Sequence, residues 1–545
     1  MTKSDWLENY ETSKALWENG RYDEAKNELE SFWDKTGAKT LPQMTLYAYI
    51  LRSKKLYISE IKHIEETLEL FKGSDEKRFL AILYSLLGEA YQRIGKTIEA
   101  AKIFLIAAEI EPNAEKKFAE ISNAIFARGA SDFSPEEMEV FYKKYRDTWK
   151  CYISLKTPSP PSVTEGFAFS ESGSAQSAEG IKKIRVGYMS PDLHAHPVAD
   201  FSASLFFDYD REKFEIYVYD LGSVEDEVTQ ALKQGINVWR NVYGLSFDKI
   251  AQIIKTDEID ILVDLSGHTA KNALPVFMHR AAPIQLSGIG YVLSTGLYET
   301  DGFLTDIHAS SEEKSEYFVE KLIRLPHTHF CYTPFATFPA VKNSPCIKNN
   351  YITFGSFNNF SKVTDECLIL WNKILKNNKN FKLILKHSLF DSKEGLEYTK
   401  NRINSLGIST ERIEFRGFSE NYLEEYNDVD IALDTFPYTG GATSLEALMM
   451  GVPLVTLCGV RHGSRFGVSF LENLDLNELI AKDKNSYVEI ASYIASDKEL
   501  LLALRQNLRQ MMLNSPLMDR KSYMKDIERI FQYSYESKIC SKLPL

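Results

Sequence analysis

The chain has 545 residues, too many for one hydrophobic core, so about three domains are expected. Its net charge of −12 argues against nucleic acid as the main partner, because binding a phosphate backbone needs a basic footprint. Six scattered cysteines without a CxxC pair exclude a disulfide framework or zinc finger, and the polar start and absence of membrane-length apolar runs lead us to expect a cytoplasmic protein with no membrane partner.

Residues 1–150 read as helix after helix, interrupted only by Pro42, Pro112 and Pro135. Gly88, Tyr91, Gly95, Ala100, Phe104, Ala107 and the stop Glu111-Pro112 match the 34-residue tetratricopeptide spacing. In that pattern small residues sit where two helices cross, and aromatics fill between them. Asn19-Gly20-Arg21-Tyr22 repeats part of it, 75 residues before Gly95, so a degenerate unit is expected in between. Two or three such units make a short concave surface of the kind that binds peptide or protein. A plain helical cap on the next domain is the alternative. Residues 151–181, with Thr157-Pro158-Ser159-Pro160-Pro161-Ser162 and a Ser/Gly/Ala/Glu tract, are predicted to form a flexible linker.

From Lys182 strands and helices alternate. Ile184–Met189, Phe214–Tyr219, Ile259–Leu265, Pro283–Ile289 and Gly302–Thr305 form one set of short apolar runs. Ile352–Phe357, Phe381–Lys386, Arg412–Gly417, Ile431–Thr435 and Leu454–Cys458 form a second. Near-continuous apolar strands separated by helices imply parallel sheets covered on both faces. The expected class is therefore α/β, with two doubly wound Rossmann-like domains at 182–345 and 346–545 behind an all-α repeat domain. Terminal helices close the second half. Ligands in such sheets sit beyond the carboxyl ends of the strands.

The chemistry-bearing residues cluster at those ends. After the first strand comes Ser190-Pro191-Asp192-Leu193-His194-Ala195-His196-Pro197, where a histidine can exchange protons near neutral pH. Asp264-Leu265-Ser266-Gly267-His268-Thr269 makes His268 and Thr269 candidate substrate contacts. Asn358-Asn359-Phe360-Ser361-Lys362 puts a lysine just past a strand, a suitable point charge for a diphosphate. Asp430 to Pro453 reads strand, loop, helix: Ile431–Leu433 suits a buried strand, small residues at Gly440-Gly441-Ala442-Thr443-Ser444 leave first-turn N–H groups uncovered for an anion, and Glu446 follows one turn on. An ordinary strand-to-helix turn is the alternative there. Arg461, His462 and Arg465 form a further anion-facing candidate loop. Half a metal site at His194-x-His196 finds no partner ligands in the sequence, so no metal is expected.

These motifs, in this order, resemble the O-GlcNAc transferase and SPINDLY family of protein glycosyltransferases. The matching stretches include Arg185–Asp192 with His196-Pro197, Ile259–Thr269, Arg280–Gln285, Thr353–Asn359 with Lys362, and Leu433–Tyr438 with Gly451-Val452-Pro453. The resemblance covers roughly residues 182–535. It implies a GT-B arrangement and an inverting, metal-independent transfer from a nucleotide sugar to Ser or Thr hydroxyls, with no cofactor beyond the donor.

By motif, the resemblance makes His196 the candidate base and Lys362 the contact to the donor diphosphate. Asn359 lines the same pocket, Gly441, Ala442 and Thr443 form the phosphate-binding helix start, and Glu446 faces the ribose. Animal O-GlcNAc transferases have His-Thr-Thr where this chain has Gly441-Ala442-Thr443, and their acidic residue is Asp, whereas SPINDLY has Glu. Arg465, after Ser464, looks more like the O-GlcNAc side, and the family's Trp-x-Gly-Tyr-Pro is here Gly288-Ile289-Gly290-Tyr291-Val292. UDP-GlcNAc is the expected donor and GDP-fucose the alternative. The expected partner is a protein acceptor on the repeats, with a bacterial surface or flagellar protein as the example. A transferase acting on a glycan, or an inactive repeat scaffold, is the competing reading.

Overall fold

In the computed structural model, which describes residues 3–156 and 182–540, the helices before Lys156 pair in sequence order. They are α1 (Lys3–Glu18), α2 (Tyr22–Thr36), α3 (Leu41–Ser53), α4 (Tyr57–Leu70), α5 (Lys77–Arg93), α6 (Thr97–Ile110), α7 (Ala114–Gly129) and α8 (Pro135–Lys156). Gly20 and Gly95 turn the first and third pairs with φ of 73° and 87°. The degenerate middle unit is α3–α4, and Lys55 makes its turn at φ 57°, a conformation that costs a side-chain-bearing residue. At the α5–α6 crossing a Cβ on Gly88 would stand 2.8 Å from the Phe104 ring, so only glycine allows this approach. The linker predicted from residue 151 starts too early, because α8 continues through Lys156; residues 157–181 lie outside the described residues.

The first sheet holds β1 (Ile184–Ser190), β2 (Phe214–Asp220), β3 (Val238–Asn241), β4 (Ile261–Asp264), β5 (Ile284–Gly288), β6 (Gly302–Asp306) and β7 (Lys321–Leu325). Its order is β3-β2-β1-β4-β5-β6-β7, with neighbouring strands parallel. The second sheet holds β8 (Thr353–Ser356), β9 (Lys382–Lys386), β10 (Ile413–Arg416), β11 (Ile431–Leu433), β12 (Leu454–Leu457) and β13 (Ile480–Ala481), in the order β10-β9-β8-β11-β12-β13. Val186 of β1 sits between Ile216 and Ile261, the centre of a fully buried apolar layer. The three strands absent from the sequence reading are β3, β7 and β13, all at sheet edges. β3 and β7 are half-exposed and β13 has only two residues, so none of the three shows a continuous buried apolar run.

The two doubly wound domains face one another in the GT-B arrangement. The last helix, Arg520–Cys540, returns to the first domain: Glu528 accepts the Asp210 N–H at 2.6 Å, and the Tyr523 hydroxyl donates to the His329 carbonyl. The helical domain touches both halves. Arg146 of α8 donates to the Gly296 carbonyl of the first at 2.6 Å. Glu394 of the second accepts the Ile58 and Ser59 N–H groups at 3.1 and 3.3 Å, occupying the open donors at the start of α4. Among the described residues no helix is long and apolar enough to cross a membrane.

Candidate active site

In an open parallel sheet the binding crevice lies where the strand order reverses. That point falls between β1 and β4 in the first sheet and between β8 and β11 in the second. The loops leaving those four strands carry His196, His268-Thr269, Asn358–Lys362 and Asp434–Gly441. Topology alone therefore gathers most of the residues singled out from the sequence.

Lys362 ends a short turn after β8. Its Nζ donates to the Thr439 carbonyl at 3.0 Å and stands 3.7 Å from the centroid of the Tyr438 ring. Burial lowers the ammonium to about 8, and the nearby Asp434 carboxylate acts in the opposite sense. Lys362 thus remains mostly charged at neutral pH. Asp434 organises the loop after β11. One carboxylate oxygen accepts the Gly440 N–H at 2.8 Å and the other accepts the Thr456 hydroxyl at 2.8 Å. This delivers Gly440, where a Cβ would fall 2.2 Å from Ser444 Oγ, to the start of the helix Ala442–Met449.

That helix has no side-chain cap. A Cβ on Gly441 would meet only the Phe201 ring, at 3.9 Å, so the helix start faces the first domain with room beside it. Uncovered N–H groups and the helix dipole favour an anion there. The Thr443 hydroxyl bonds Asn358 Oδ1 at 2.9 Å. One turn on, Glu446 Oε1 accepts the Tyr422 hydroxyl at 2.7 Å, while Oε2 is buried with no hydrogen-bond partner. A buried acceptor left unpaired is costly, which makes it a natural seat for a ligand hydroxyl. Burial raises Glu446 to about 7, and the charge of Asp200 adds to the rise; Asp200 itself is raised to about 6 by burial.

Across the cleft, His196 caps the helix α9 (Pro197–Phe207). Its Nδ1 accepts the Val198 N–H at 3.3 Å. Burial lowers its pKa, Asp192 opposes that, and His194 reinforces it. Nδ1 is taken up at the start of α9, which leaves Nε2 as the ring nitrogen for a ligand.

The sequence profile of glycosyl transferase family 41 matches residues 164–350 and 341–527. The chain belongs to glycosyl transferase family 41. A Hordeum vulgare relative named probable UDP-N-acetylglucosamine–peptide N-acetylglucosaminyltransferase SPINDLY is 37% identical over 359 residues, covering 64% of this chain and 38% of the relative. An Arabidopsis thaliana relative with the same enzyme name, designated SEC, is 29% identical over 364 residues, covering 65% of this chain and 37% of the relative. The matches thus span about four tenths of the length of these curated relatives. A solved structure of a mutant Thermobaculum terrenum O-GlcNAc transferase covers 100% of both chains with a TM-score of 0.83 at 24% identity, a likeness of fold.

Within this family-41 site several expected contacts lie elsewhere. His268 is fully buried: Nδ1 meets the Ser122 hydroxyl of α7 at 2.9 Å and Nε2 the Thr295 carbonyl at 2.8 Å. Burial pushes it down to about 4, so it is a neutral tie between the helical domain and the first sheet rather than a substrate contact. Its loop turns at Gly267, φ 52°, where a Cβ would collide with the Tyr291 ring at 2.0 Å. Thr269 closes the same turn on the Ser266 carbonyl at 2.9 Å. Arg465 donates to the carbonyls of His308 at 2.8 Å and Gly459 at 3.2 Å, and Arg461 to that of Gly129 at 3.1 Å. His462 is buried against Thr305 and Ser310. Arg461 and Arg465 thus tie this loop to the helical domain and to the first domain.

Asn359 is exposed and its Oδ1 accepts from Ser361, whereas Asn358 is the buried amide beside Thr443. Sequence reading also passed over Asp200, Tyr422, Asp434 and Tyr438 as site residues. Asp200 had a usable signal, since it lies four residues after His196 and therefore on the same face of α9. Tyr422 had none, because its approach to Glu446 joins two separate elements.

Proposed function

We propose that this chain transfers GlcNAc from UDP-GlcNAc to Ser or Thr hydroxyls of a protein acceptor, with inversion and with no metal or cofactor. The observation that carries this is the charged Lys362 beside the uncapped start of the Ala442 helix, both meeting at the Thr439–Gly441 loop. A leaving nucleoside diphosphate develops negative charge there, and preorganised positive charge in a sheltered site lowers the barrier for its departure. Lys362 and the helix N-terminus supply what a cation would otherwise supply. The acceptor oxygen attacks the anomeric carbon, the bond to the β-phosphate oxygen breaks, and UDP leaves with the electron pair. The hydroxyl proton passes to a general base, the role in which His196 stands as the candidate. Glu446 Oε2 receives a ribose hydroxyl. The enzyme name carried by the Hordeum vulgare and Arabidopsis thaliana relatives supports the donor and the peptide acceptor. The helical domain is the proposed acceptor dock.

The test is thermal stabilisation by UDP against GDP, followed by turnover of the matching sugar nucleotide with a Ser/Thr peptide. A ligand bound only by the folded state raises stability with the logarithm of its concentration over its Kd. A UDP shift lost in Lys362→Ala, together with peptide glycosylation, supports the reading. A shift with GDP alone replaces the donor by GDP-fucose, and no shift with either overturns the transferase.

A further inference from the structure

We infer that Tyr438 is a positioning residue for Lys362, and that the helical domain holds Tyr438 in place; the inference rests on the reading of Lys362 as the diphosphate contact. Lys362 leaves β8 on one loop and extends its ammonium to another, the loop after β11. A long flexible side chain crossing between loops needs something to fix it. One N–H goes to the Thr439 carbonyl at 3.0 Å. The Tyr438 ring lies 3.7 Å away, well inside the roughly 6 Å over which a ring face attracts a cation.

The choice of partner matters for the chemistry. A carboxylate at that place would compete with phosphate oxygens for the ammonium. A ring face stabilises the charge yet offers no lone pair to the remaining N–H. Among the described residues no carboxylate lies at ion-pair distance from Nζ. Asp434, the closest acid in effect, is taken up by Thr435, Gly440 and Thr456 of its own domain.

Two contacts from the helical domain back this arrangement. Phe126 of α7 meets the Tyr438 ring at 6.5 Å and 89°, an edge-to-face geometry that fixes ring orientation. On the other flank, a Cβ on Gly95, in the α5–α6 turn, would stand 3.7 Å from the Phe360 carbonyl and 3.2 Å from Arg402 Nη1. Arg402 in turn donates to the Val363 carbonyl at 2.8 Å. The turn that carries Lys362 and the ring that steadies it are therefore both braced by the repeats. The helical domain is part of the support of the diphosphate site as well as the proposed acceptor dock.

The experiment follows the titration of the Lys362 amine by pH-dependent acylation and mass spectrometry in the full chain, as wild type, Tyr438→Leu, Tyr438→Phe and Phe126→Leu. Circular dichroism confirms folding of each. Tyr438→Leu should lower the Lys362 midpoint by about half a unit to one unit, the size of a sheltered cation–π contact. It should also cut kcat about tenfold, with donor KM moving less. Tyr438→Phe, which keeps the ring, should recover both effects, and Phe126→Leu should reproduce them in weaker form. An unchanged midpoint in a folded Tyr438→Leu protein overturns the inference, as does a Phe variant no better than Leu. If the wild type turns over no nucleotide sugar, the functional reading fails, while the titration still decides whether Tyr438 positions Lys362.

Discussion

The Thr443 hydroxyl bonds Oδ1 of Asn358 at 2.9 Å, joining the first turn of the Ala442 helix to the loop after β8. The two loops leave adjacent strands on either side of the switch point, so this single bond sets the floor of the proposed diphosphate site. Asn358→Leu removes this partner from a half-buried threonine hydroxyl, at a cost of about 0.5–1.5 kcal/mol. UDP affinity, measured by titration calorimetry, should fall about tenfold or more. Asn359→Ala, an exposed neighbour, should change it by less than about twofold; equal effects at the two positions would refute the assignment.

Lys362→Met should lower kcat by about 10²–10³, the usual loss when one preorganised charge-stabilising donor is removed. The ammonium is charged below about pH 8 and neutral above it. The wild-type rate should therefore decline as pH rises through about 8, and the Met variant should lack that limb. A Met variant with the same alkaline decline would assign it to another group.

Glu446 carries its proton up to about pH 7 in the folded chain, against about 4.5 for an ordinary glutamate. Between those values the folded state binds more protons than the unfolded one, so this contribution is full below about 4.5 and is lost as pH rises through about 7. Glu446→Gln removes the dependence. Its Tm should be close to wild type at pH 5 and exceed it increasingly towards pH 8, while UDP binding weakens. Parallel Tm profiles would show that Glu446 is not the buried acid described.

His268→Leu should lower stability by about 2–4 kcal/mol, since it strands the Ser122 hydroxyl and the Thr295 carbonyl in a buried interface. UDP affinity should stay within about twofold in the surviving folded protein. A selective loss of donor or acceptor binding at unchanged Tm would restore His268 as a substrate contact.

Much of this architecture was legible because burial writes itself into composition. Central strands such as Ile184–Ser190 and Ile431–Leu433 are covered on both faces and read as apolar runs, and the Gly88–Phe104 crossing reads as a small residue paired with an aromatic. Lys362 and Glu446 could be selected because a residue's place just past a strand or one turn into a helix is a matter of counting. The edge strands β3 and β7 escaped because exposure erases the pattern, and β13 because two residues carry none.

Sequence by itself thus determined the repeat domain, the two doubly wound sheets and the ends of the strands where chemistry gathers, since these follow from local periodicity and the order of strands. Only the tertiary structure decided which way each loop side chain turns. Asn358 rather than Asn359 meets Thr443, His268 and Arg465 serve domain contacts, His196 turns Nδ1 to the start of α9, and Tyr438 meets both Phe126 and Lys362. In irregular segments no period assigns a face, and the direction of a side chain is settled by hydrogen-bond partners and neighbours brought in from distant parts of the chain.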